Sequence, residues 1–419
     1  MTMACLAPMM PGVPACAQMM ADVASAVPPA SALTLRAAEA RLLVANRDLK
    51  RATREIERAQ AATATAAARP NATLSVNTTD ISPSRGVGPG SLADKRMDTV
   101  LRLEQTIERG DKRELRMAQA DSQLDAARAD ADDVRRQQLR ALRLAYFDLK
   151  RSEDRLALLR QSKLLLDDML ARAQVRVSAG DLAASDLERI RVDQMRAEAD
   201  VRTAESDMRH AQSELARLLA MEAQTTQLHA ADPWPVPEAP QVPALPQDRP
   251  DLRAARLRLQ AAQQGRSLAE SLRTRDVTVG FQVERFPPEA GLMYGIGVSI
   301  PLFNGYDYSG EIAAAYTELG AAEDDGVRIE AEAGAELQQR LADVEAASTQ
   351  ARRFIDVVLP SARRSADAAE FAFQHGASGV LDVLDARRTL RAIESESLAA
   401  QADYARARAE LAAAQNRDF

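Results

Sequence analysis

Few residues in this chain are of the types that carry out chemistry. Its cysteines, Cys5 and Cys16, both fall within the first 16 residues, which excludes disulfide frameworks, thiolate metal cages and cysteine nucleophiles from the rest. The histidines, His210, His229 and His375, have no second His or Cys at a ligand spacing, so we interpret each as a surface residue rather than a metal ligand. No phosphate-binding loop, G-x-S-x-G or H-E-x-x-H pattern occurs. The sequence therefore predicts a protein that is not an enzyme and has no cofactor.

The most suggestive polar group is a pair of carboxylates. Asp382 and Asp385 are three residues apart, so a helix would place both on one face. Acidic residues in the first turn of a helix are favoured by the helix dipole alone, which gives the pair a purely structural interpretation. What else the pair does depends on the elements that hold it.

Those elements are predicted to be long helices. Of the 419 residues 46% are apolar but only 4% are aromatic, a mixture typical of long helices rather than thick globular cores. Residues 111–179 and 181–232 contain neither Gly nor Pro, in runs of 69 and 52 residues. A helix of about 65 residues would be ~100 Å long at ~1.5 Å per residue, far longer than a typical globular helix.

Charge and hydropathy exclude two classes of protein. The net charge of -7 comes from interspersed residues of both signs, so the chain has no basic patch for nucleic acid. No stretch of 18 or more apolar residues follows the N-terminus, which excludes a membrane-spanning helix but leaves a membrane β-barrel open.

The N-terminus is expected to be a secretory leader. Residues 1–17 are rich in Met, Ala and Pro and end in Ala15-Cys16-Ala17, which fits a signal-peptidase site although no Lys or Arg precedes it. A disordered tail and a lipid-modified Cys16 are the alternatives. Residues 18–33 would form an N-terminal extension.

The remaining chain is predicted to be two structural repeats. Gly180 and Asp186 recur 196 residues later as Gly376 and Asp382, each pair introducing a long polar-faced helix. Each half, 34–228 and 251–419, follows the order helix, strand, strand, long helix, turn, long helix. A strap at 229–250 separates them and holds seven of the 19 prolines, and we expect its Trp234 to anchor it onto the helices.

Four short segments determine the fold class. Residues 72–82, 97–107, 276–286 and 294–303 alternate between apolar and polar side chains over ~9–11 residues, the pattern of transmembrane β-barrel strands. A soluble, half-buried sheet is the alternative. Seven of the 15 aromatic residues fall between Phe281 and Tyr316, as in the aromatic girdle of a barrel. Four strands cannot close a membrane barrel, so other chains must supply the rest, and a trimer would provide 12.

Short motifs in a fixed order over nearly the whole chain from about residue 33 resemble the TolC-type outer membrane factors, the outer membrane efflux protein family. They are Leu33-Thr34-Leu35, Ala145-Tyr146-Phe147-Asp148-Leu149, Arg249-Pro250-Asp251-Leu252, Ile300-Pro301-Leu302-Phe303-Asn304-Gly305, and Gly376 with Asp382-Val383-Leu384-Asp385-Ala386. The stretch from Leu103 to Arg113 more closely resembles the branch that serves heavy-metal resistance pumps of the cobalt–zinc–cadmium type. That branch would imply divalent cations as cargo.

The resemblance implies a mainly α protein with a small β part. Three copies would form a 12-stranded barrel in the outer membrane that continues into a barrel of long helical hairpins in the periplasm. It would be a passive exit duct for a periplasmic adaptor and an inner-membrane RND-type pump. The same duct for drugs or for a type I secreted protein, and a soluble periplasmic coiled-coil adaptor or scaffold, are the alternatives.

The resemblance also implies roles for residues near the two turns. Asp382 and Asp385 would form a lumenal ring of six carboxylates, which attracts and selects cations. Ser185 and Asp186 occupy the positions that latch the closed duct, but the partner positions hold Phe373 and Ser378, so the usual links cannot form and Arg387 or Arg388 is the candidate substitute. The turns expected to meet the adaptor comprise Ala179, Gly180, Asp181, Leu182, His375, Gly376 and Ala377.

Overall fold

The computed structural model describes residues 33–84, 86–91, 95–239, 248–286, 291–302, 305–375 and 377–417. The leader with Cys5 and Cys16, and the N-terminal extension up to residue 32, lie outside the described residues, as does Gly376. The helices are α1 (Leu35–Ala45), α2 (Arg47–Ala67), α3 (Lys112–Ser178), α4 (Ala184–Leu219), α5 (Pro250–Ser271), α6 (Ser309–Arg353), α7 (Leu359–Gln374) and α8 (Val380–Ala414). The strands are β1 (Thr73–Thr79), β2 (Asp98–Ile107), β3 (Val277–Arg285) and β4 (Leu292–Ser299).

The chain divides into two compact units. The first, here called the helical unit, comprises residues up to Ala40, Ala145–Trp234 and Ala362–Leu398. The second, the sheet unit, comprises Arg41–Leu144, Pro235–Ser361 and the residues from Ala399 onward. The long helices α3 and α8 contribute residues to both units.

Long helices form where Gly and Pro are absent. The run of 69 such residues contains α3, a single helix of 67 residues, which confirms the prediction of very long helices. In the second run, α4 has 36 residues and ends where Ala220 adopts a left-handed conformation with φ of 52°. Between α6 and α7, Phe354–Val358 form one turn of π-helix next to Pro360, a residue that has no N–H for the helix ladder.

No helix in the described ranges is both long enough and apolar enough to cross a membrane.

The sheet is four-stranded and antiparallel, in the order β1-β2-β3-β4. The four segments predicted as strands all form, with small differences at their ends. β1 stops at Thr79, short of the predicted residue 82, because Asp80 takes a left-handed φ of 57°. β4 begins at Leu292, two residues before the predicted start, and ends at Ser299, because Pro301 cannot donate to a strand ladder.

Each unit has its own apolar packing. In the helical unit, Leu156 and Leu159 of α3 pack against Val201 and Ala204 of α4. In the sheet unit, a larger cluster joins α6 and α8. Its buried members are Leu337, Leu341, Val344, Ala351, Ala400, Tyr404, Leu411 and Ala414.

Trp234 anchors the beginning of the strap, as predicted. Its ring stacks on Phe147 at 6.0 Å between centroids, and its indole N–H donates to an Asp154 carboxylate oxygen at 2.8 Å. The Lys150 ammonium lies 5.2 Å from the centre of the same ring. All three partners belong to α3, so the strap residue is held against that helix within the helical unit.

Candidate functional site

The first turn of the helical unit has a defined backbone geometry. At the end of α3 the Asp181 N–H donates to the Arg176 carbonyl at 2.8 Å, and the Gly180 N–H donates to the Val177 carbonyl at 3.1 Å. This pair of bonds is the Schellman motif, which needs a left-handed residue at the position of Gly180. Gly180 has φ of 81°, and a Cβ there would meet no atom within 4 Å. The glycine is therefore needed for its backbone conformation and not for space.

The second turn has a matching bond. The Ala377 N–H donates to the Ala372 carbonyl at 2.8 Å, the same five-residue separation as between Asp181 and Arg176. His375 is exposed, its ring Nδ1 lies 2.8 Å from the Phe371 carbonyl oxygen, and the two rings are 4.1 Å apart. Phe371 is itself 64% exposed, so this turn presents an aromatic surface.

A small apolar core supports the turns. Ala173 of α3, Ile190 of α4 and Leu384 of α8 are buried together. Half-buried residues pack against this core, and they include Leu166, Met169 and Leu170 of α3 together with Leu182 of the first turn and Leu187 of α4. Leu182, one of the turn residues, is thus partly a packing residue, while Ala179, Asp181 and Ala377 are exposed.

The two predicted carboxylates lie at the start of α8. Asp382 and Asp385 are both exposed. One Asp382 carboxylate oxygen accepts the Gly379 N–H at 3.1 Å, which satisfies a donor that the helix itself leaves unpaired. Asp382 therefore has a capping role, and its charge lies at the positive end of the helix dipole.

The predicted latch residues are not brought together in pairs. Ser185 is exposed, and the Asp186 carboxylate lies 3.7 Å from Arg189 of its own helix. The Ser378 hydroxyl is shielded from solvent and finds no hydrogen-bond partner within the described residues. Phe373 does cross between hairpins, since the Arg176 guanidinium of α3 lies 5.6 Å from the centre of its ring.

Other residues link the helices around these turns. Arg388 of α8 donates from Nε to the Asp193 carboxylate of α4 at 3.1 Å, and Asp193 is buried. One helical turn further, Arg391 lies 3.8 Å from Asp200. Arg387 instead pairs with Glu370 of α7. Of the two candidate substitutes, therefore, Arg388 reaches the neighbouring hairpin.

Sequence reasoning missed Asp193, although a signal was present. Ile190, Asp193, Ala197, Val201 and Ala204 recur every three or four residues and are all buried, so they form one face of α4. A single carboxylate within an otherwise apolar stripe needs a cationic partner, because burying an unpaired charge is costly. That requirement predicts a partner but does not say which arginine supplies it.

The sheet unit holds a second candidate region, one face of the sheet. Register places Leu74 opposite Leu103, Leu103 opposite Phe281, and Phe281 opposite Ile296, so these apolar residues share a face. The neighbouring rows add further apolar side chains to the same face. The exposed members of this apolar face are Leu74, Val76, Leu101, Leu103, Ile107, Val279, Phe281, Leu292, Tyr294, Ile296 and Val298.

The opposite face of the sheet is polar. Arg102 donates from Nε to the Gln282 amide oxygen at 2.8 Å, and the Thr106 and Thr278 hydroxyls lie 3.0 Å apart. Gly295, opposite Gln282 on β4, leaves room for that side chain, because a Cβ at Gly295 would meet it at 3.0 Å. The alternation seen in sequence therefore separates the two faces of the folded sheet.

Charged residues of the Leu103 to Arg113 stretch are used in structural contacts where β2 meets α3. Lys112 is buried, and its ammonium donates to an Asp276 carboxylate oxygen at 2.7 Å and to the Thr274 carbonyl at 2.8 Å. Glu108 pairs with Arg116, and the hydrogen bonds from that guanidinium hold the pKa of Glu108 below its usual value. Over the part of the chain that the structure describes, no three His, Cys, Asp or Glu side chains are placed to hold a metal ion.

Comparison with protein families relates part of the sequence to a known group. Residues 243–417 match the family described as outer membrane efflux protein. This segment covers less than half of the chain and contains the strap end, the second pair of strands and the second turn. No curated protein matches the chain in sequence.

Solved structures match over nearly the whole chain. The outer membrane protein VceC from Vibrio cholerae is 19% identical, with a TM-score of 0.76 over 92% of this chain and 96% of that one. The CmeC outer membrane channel of Campylobacter jejuni is 15% identical, with a TM-score of 0.77 and coverages of 91% and 85%. The MtrE outer membrane channel of Neisseria gonorrhoeae, in its open state, is 18% identical, with a TM-score of 0.74 and coverages of 91% and 89%. The chain thus has the fold of these outer membrane channels, and its residues 243–417 carry the sequence pattern of the outer membrane efflux protein family.

Proposed function

We propose that this protein is the outer membrane exit duct of a tripartite efflux system, formed by three copies of the chain. The observation that carries the proposal is the continuous apolar face of the sheet, which the chain itself leaves exposed. The similarity to outer membrane channels supports it. An inner-membrane pump of the RND type and a periplasmic adaptor would supply energy and cargo.

The apolar face of the sheet is more stable against lipid than against water. Fully burying an aliphatic or aromatic side chain is worth about 1.5–3 kcal/mol, so eleven side chains that are each roughly half exposed forgo on the order of 10 kcal/mol in water. Lipid contact recovers this free energy. The outer edges of β1 and β4 have no partner strand among the described residues, and strands of two further copies would pair them into a 12-stranded barrel.

The proposal is tested by a pair of neighbouring substitutions. Leu101 lies on the apolar face and Val100 on the polar face of the same strand, so Leu101→Lys and Val100→Lys differ only in the side of the sheet. A lysine facing lipid costs about 2–4 kcal/mol at the middle of a bilayer. We expect Leu101→Lys to reduce the amount of heat-resistant trimer seen on unheated gels of outer membrane fractions. Val100→Lys should leave that amount unchanged.

A soluble scaffold would behave differently. Both lysines would then face water, and neither substitution would change the amount of folded protein recovered. Recovery of the exported wild-type protein as a soluble monomer, without detergent, would refute the duct.

We further propose divalent heavy-metal cations as the cargo, with drugs or a secreted protein as the alternatives. The support is the resemblance of the Leu103 to Arg113 stretch to the heavy-metal branch, although several charges there are engaged in structural ion pairs. Deleting the gene should lower tolerance to zinc, cobalt or cadmium more than tolerance to drugs. Loss of drug tolerance alone would contradict a metal cargo.

Asp382 and Asp385 are proposed to form the lumenal cation ring. Both are exposed, with Asp382 in the first turn of α8 and Asp385 three residues further on, which is compatible with facing a lumen. Replacing both by Asn removes the charges, while the side-chain amide oxygen of an Asn at 382 can still accept the Gly379 N–H. In planar bilayers we expect reduced cation selectivity. Glu188→Gln, which removes one exposed carboxylate from α4, should not change it.

The latch is proposed to be the ion pair between Arg388 and Asp193, assisted by the contact of Arg176 with Phe373. The pair joins α8 to α4, so separating these helices must break it. Arg388→Gln should raise the open fraction of single channels several-fold. Arg202→Gln removes an exposed arginine on α4 that pairs only loosely, 3.9 Å from Glu198, and should leave gating unchanged. Equal effects of both variants would argue against a specific latch.

The turns are proposed to meet the adaptor through Ala179, Gly180, Asp181, Leu182, His375, Gly376 and Ala377. Asp181 and Ala377 are exposed, and their backbone N–H groups donate the two matching turn bonds. Cysteines introduced at either position should crosslink to the adaptor in cells. A cysteine at Glu214, which is exposed near the end of α4 that lies away from the first turn, should not crosslink.

A further inference from the structure

The sheet unit contains a cavity of about 210 Å³ that is unusually rich in arginine. The residues that line it come from three places: a stripe of α3, the first turn of α5 with Asp248 two residues before it, and the end of α8 with the residues that follow it. Five guanidinium groups face it, against the two carboxylates of Asp132 and Asp248. The arginines are Arg135, Arg136, Arg143, Arg253 and Arg417.

Some of these arginines have structural duties. Arg136 lies 2.7 Å from the Asp133 carboxylate and donates to the Ala413 carbonyl at 3.2 Å, which satisfies one of the last carbonyls of α8. Arg253 pairs with Asp132. These contacts account for the two arginines without any ligand.

Two arginines that line the cavity, Arg135 and Arg417, have no such structural contact among the described residues. Both are exposed at the cavity, and within the described residues neither guanidinium has an ion-pair partner. Arg143 also lines the cavity and is buried. The cavity therefore presents two exposed guanidinium groups, those of Arg135 and Arg417, that have no ion-pair partner within the described residues.

The size of the cavity restricts its ligand. At ~30 Å³ per water, 210 Å³ accommodates about seven water molecules, less than the 300 Å³ or more of typical pockets for drug-sized ligands. A tetrahedral oxyanion with part of its hydration fits this space. Guanidinium groups bind such oxyanions by paired, charge-assisted hydrogen bonds.

We propose that this cavity binds a small tetrahedral oxyanion of the phosphate type, held by Arg135 and Arg417. The oxyanion joins the stripe of α3 to the end of α8 and relieves the repulsion between the arginines. Free phosphate and the phosphate of a lipid head group share this chemistry, so the probes are inorganic phosphate and glycerol phosphate.

The test is isothermal titration calorimetry on the full chain in detergent, with chloride holding the ionic strength constant. We expect saturable binding of inorganic phosphate, weakened at least tenfold in the double variant Arg135→Gln with Arg417→Gln. The control double variant, Arg58→Gln with Arg202→Gln, removes two exposed arginines elsewhere and should bind like wild type. Arg135→Lys with Arg417→Lys keeps the charges but loses the paired geometry, and should give an intermediate affinity.

The outcomes separate the possible sources. Binding of both probes identifies free phosphate as sufficient, and binding of glycerol phosphate alone identifies a head group; either supports the proposal. Two results would overturn it. They are the absence of saturable binding of either probe above chloride, and equal affinity in the Gln double variant and the wild type.

Discussion

The hydroxyl of Tyr146 is the most testable single group in the structure. The residue is fully buried, and its hydroxyl lies 2.8 Å from an Asp232 carboxylate oxygen and 2.9 Å from the Leu33 carbonyl oxygen, either of which can accept its proton. The same oxygen accepts the N–H groups of Ala231 and Asp232, both at 3.1 Å. Burial raises the pKa of this phenol, so it stays protonated. One group thus ties the segment before α1 and the start of the strap to α3.

Tyr146→Phe keeps the ring and its edge contact with Phe147 at 5.7 Å but removes every one of these bonds. In this variant the Ala231 N–H still donates to the Leu33 carbonyl at 3.1 Å, whereas the Asp232 N–H loses its hydrogen bond to the hydroxyl and has no other acceptor among the described residues. An unsatisfied buried donor costs about 1–3 kcal/mol, and because Asp232 is half-buried we expect a cost towards the lower end of that range. At 1.4 kcal/mol per factor of ten, local opening should become about 5–150 times more frequent.

The assay is hydrogen–deuterium exchange with mass spectrometry on peptides that cover residues 33–38 and 229–235. Exchange in these two peptides should accelerate by about 5–150 times, and exchange in the four strands of the sheet should stay unchanged. Tyr404→Phe is the matched control, because Tyr404 is equally buried and accepts one backbone N–H, from Glu238 at 2.9 Å. It should accelerate exchange near 238 only. Unchanged exchange at 229–235 in Tyr146→Phe would refute the reasoning.

Two further predictions concern a pair of glycines and one carboxylate. Gly110 and Gly180 both have positive φ, and an alanine at either position would be strained by about 1–3 kcal/mol. Only at Gly110 would a Cβ also collide, 2.8 Å from Thr274, so Gly110→Ala should lower the thermal stability of the protein more than Gly180→Ala. Equal losses of melting temperature would contradict this. The hydrogen bond from Lys163 holds the pKa of Asp167 below its usual value. The ionised Asp167 therefore stabilises the fold above its unfolded pKa, and this stabilisation is lost as the pH falls below about 4. Acid unfolding followed by circular dichroism should therefore begin at higher pH in Asp167→Asn, and an unchanged midpoint would disprove the contribution.

The fold class follows from local patterns that sequence displays directly. Absence of Gly and Pro over residues 111–179 leaves nothing to interrupt a helix, and α3 fills that run. Alternation with a period of two places apolar residues on one side of a strand whatever its partners, so the two faces of the sheet were predictable. The end of β1 was not, because it depends on the left-handed conformation of Asp80, which Asp tolerates without requiring.

The contacts that give the candidate site its specificity were decided by tertiary structure. Sequence located Asp382 and Asp385 near the start of one helix and the turn after α3 at Gly180, since each depends on spacing along one segment. It could not join Arg388 to Asp193, 195 residues apart, nor gather arginines from α3, from α5 and from the residues after α8 around one cavity. Such pairs depend on how separate helices are aligned and packed, and many arginines of this chain are chemically equivalent until that packing brings one of them to a particular carboxylate.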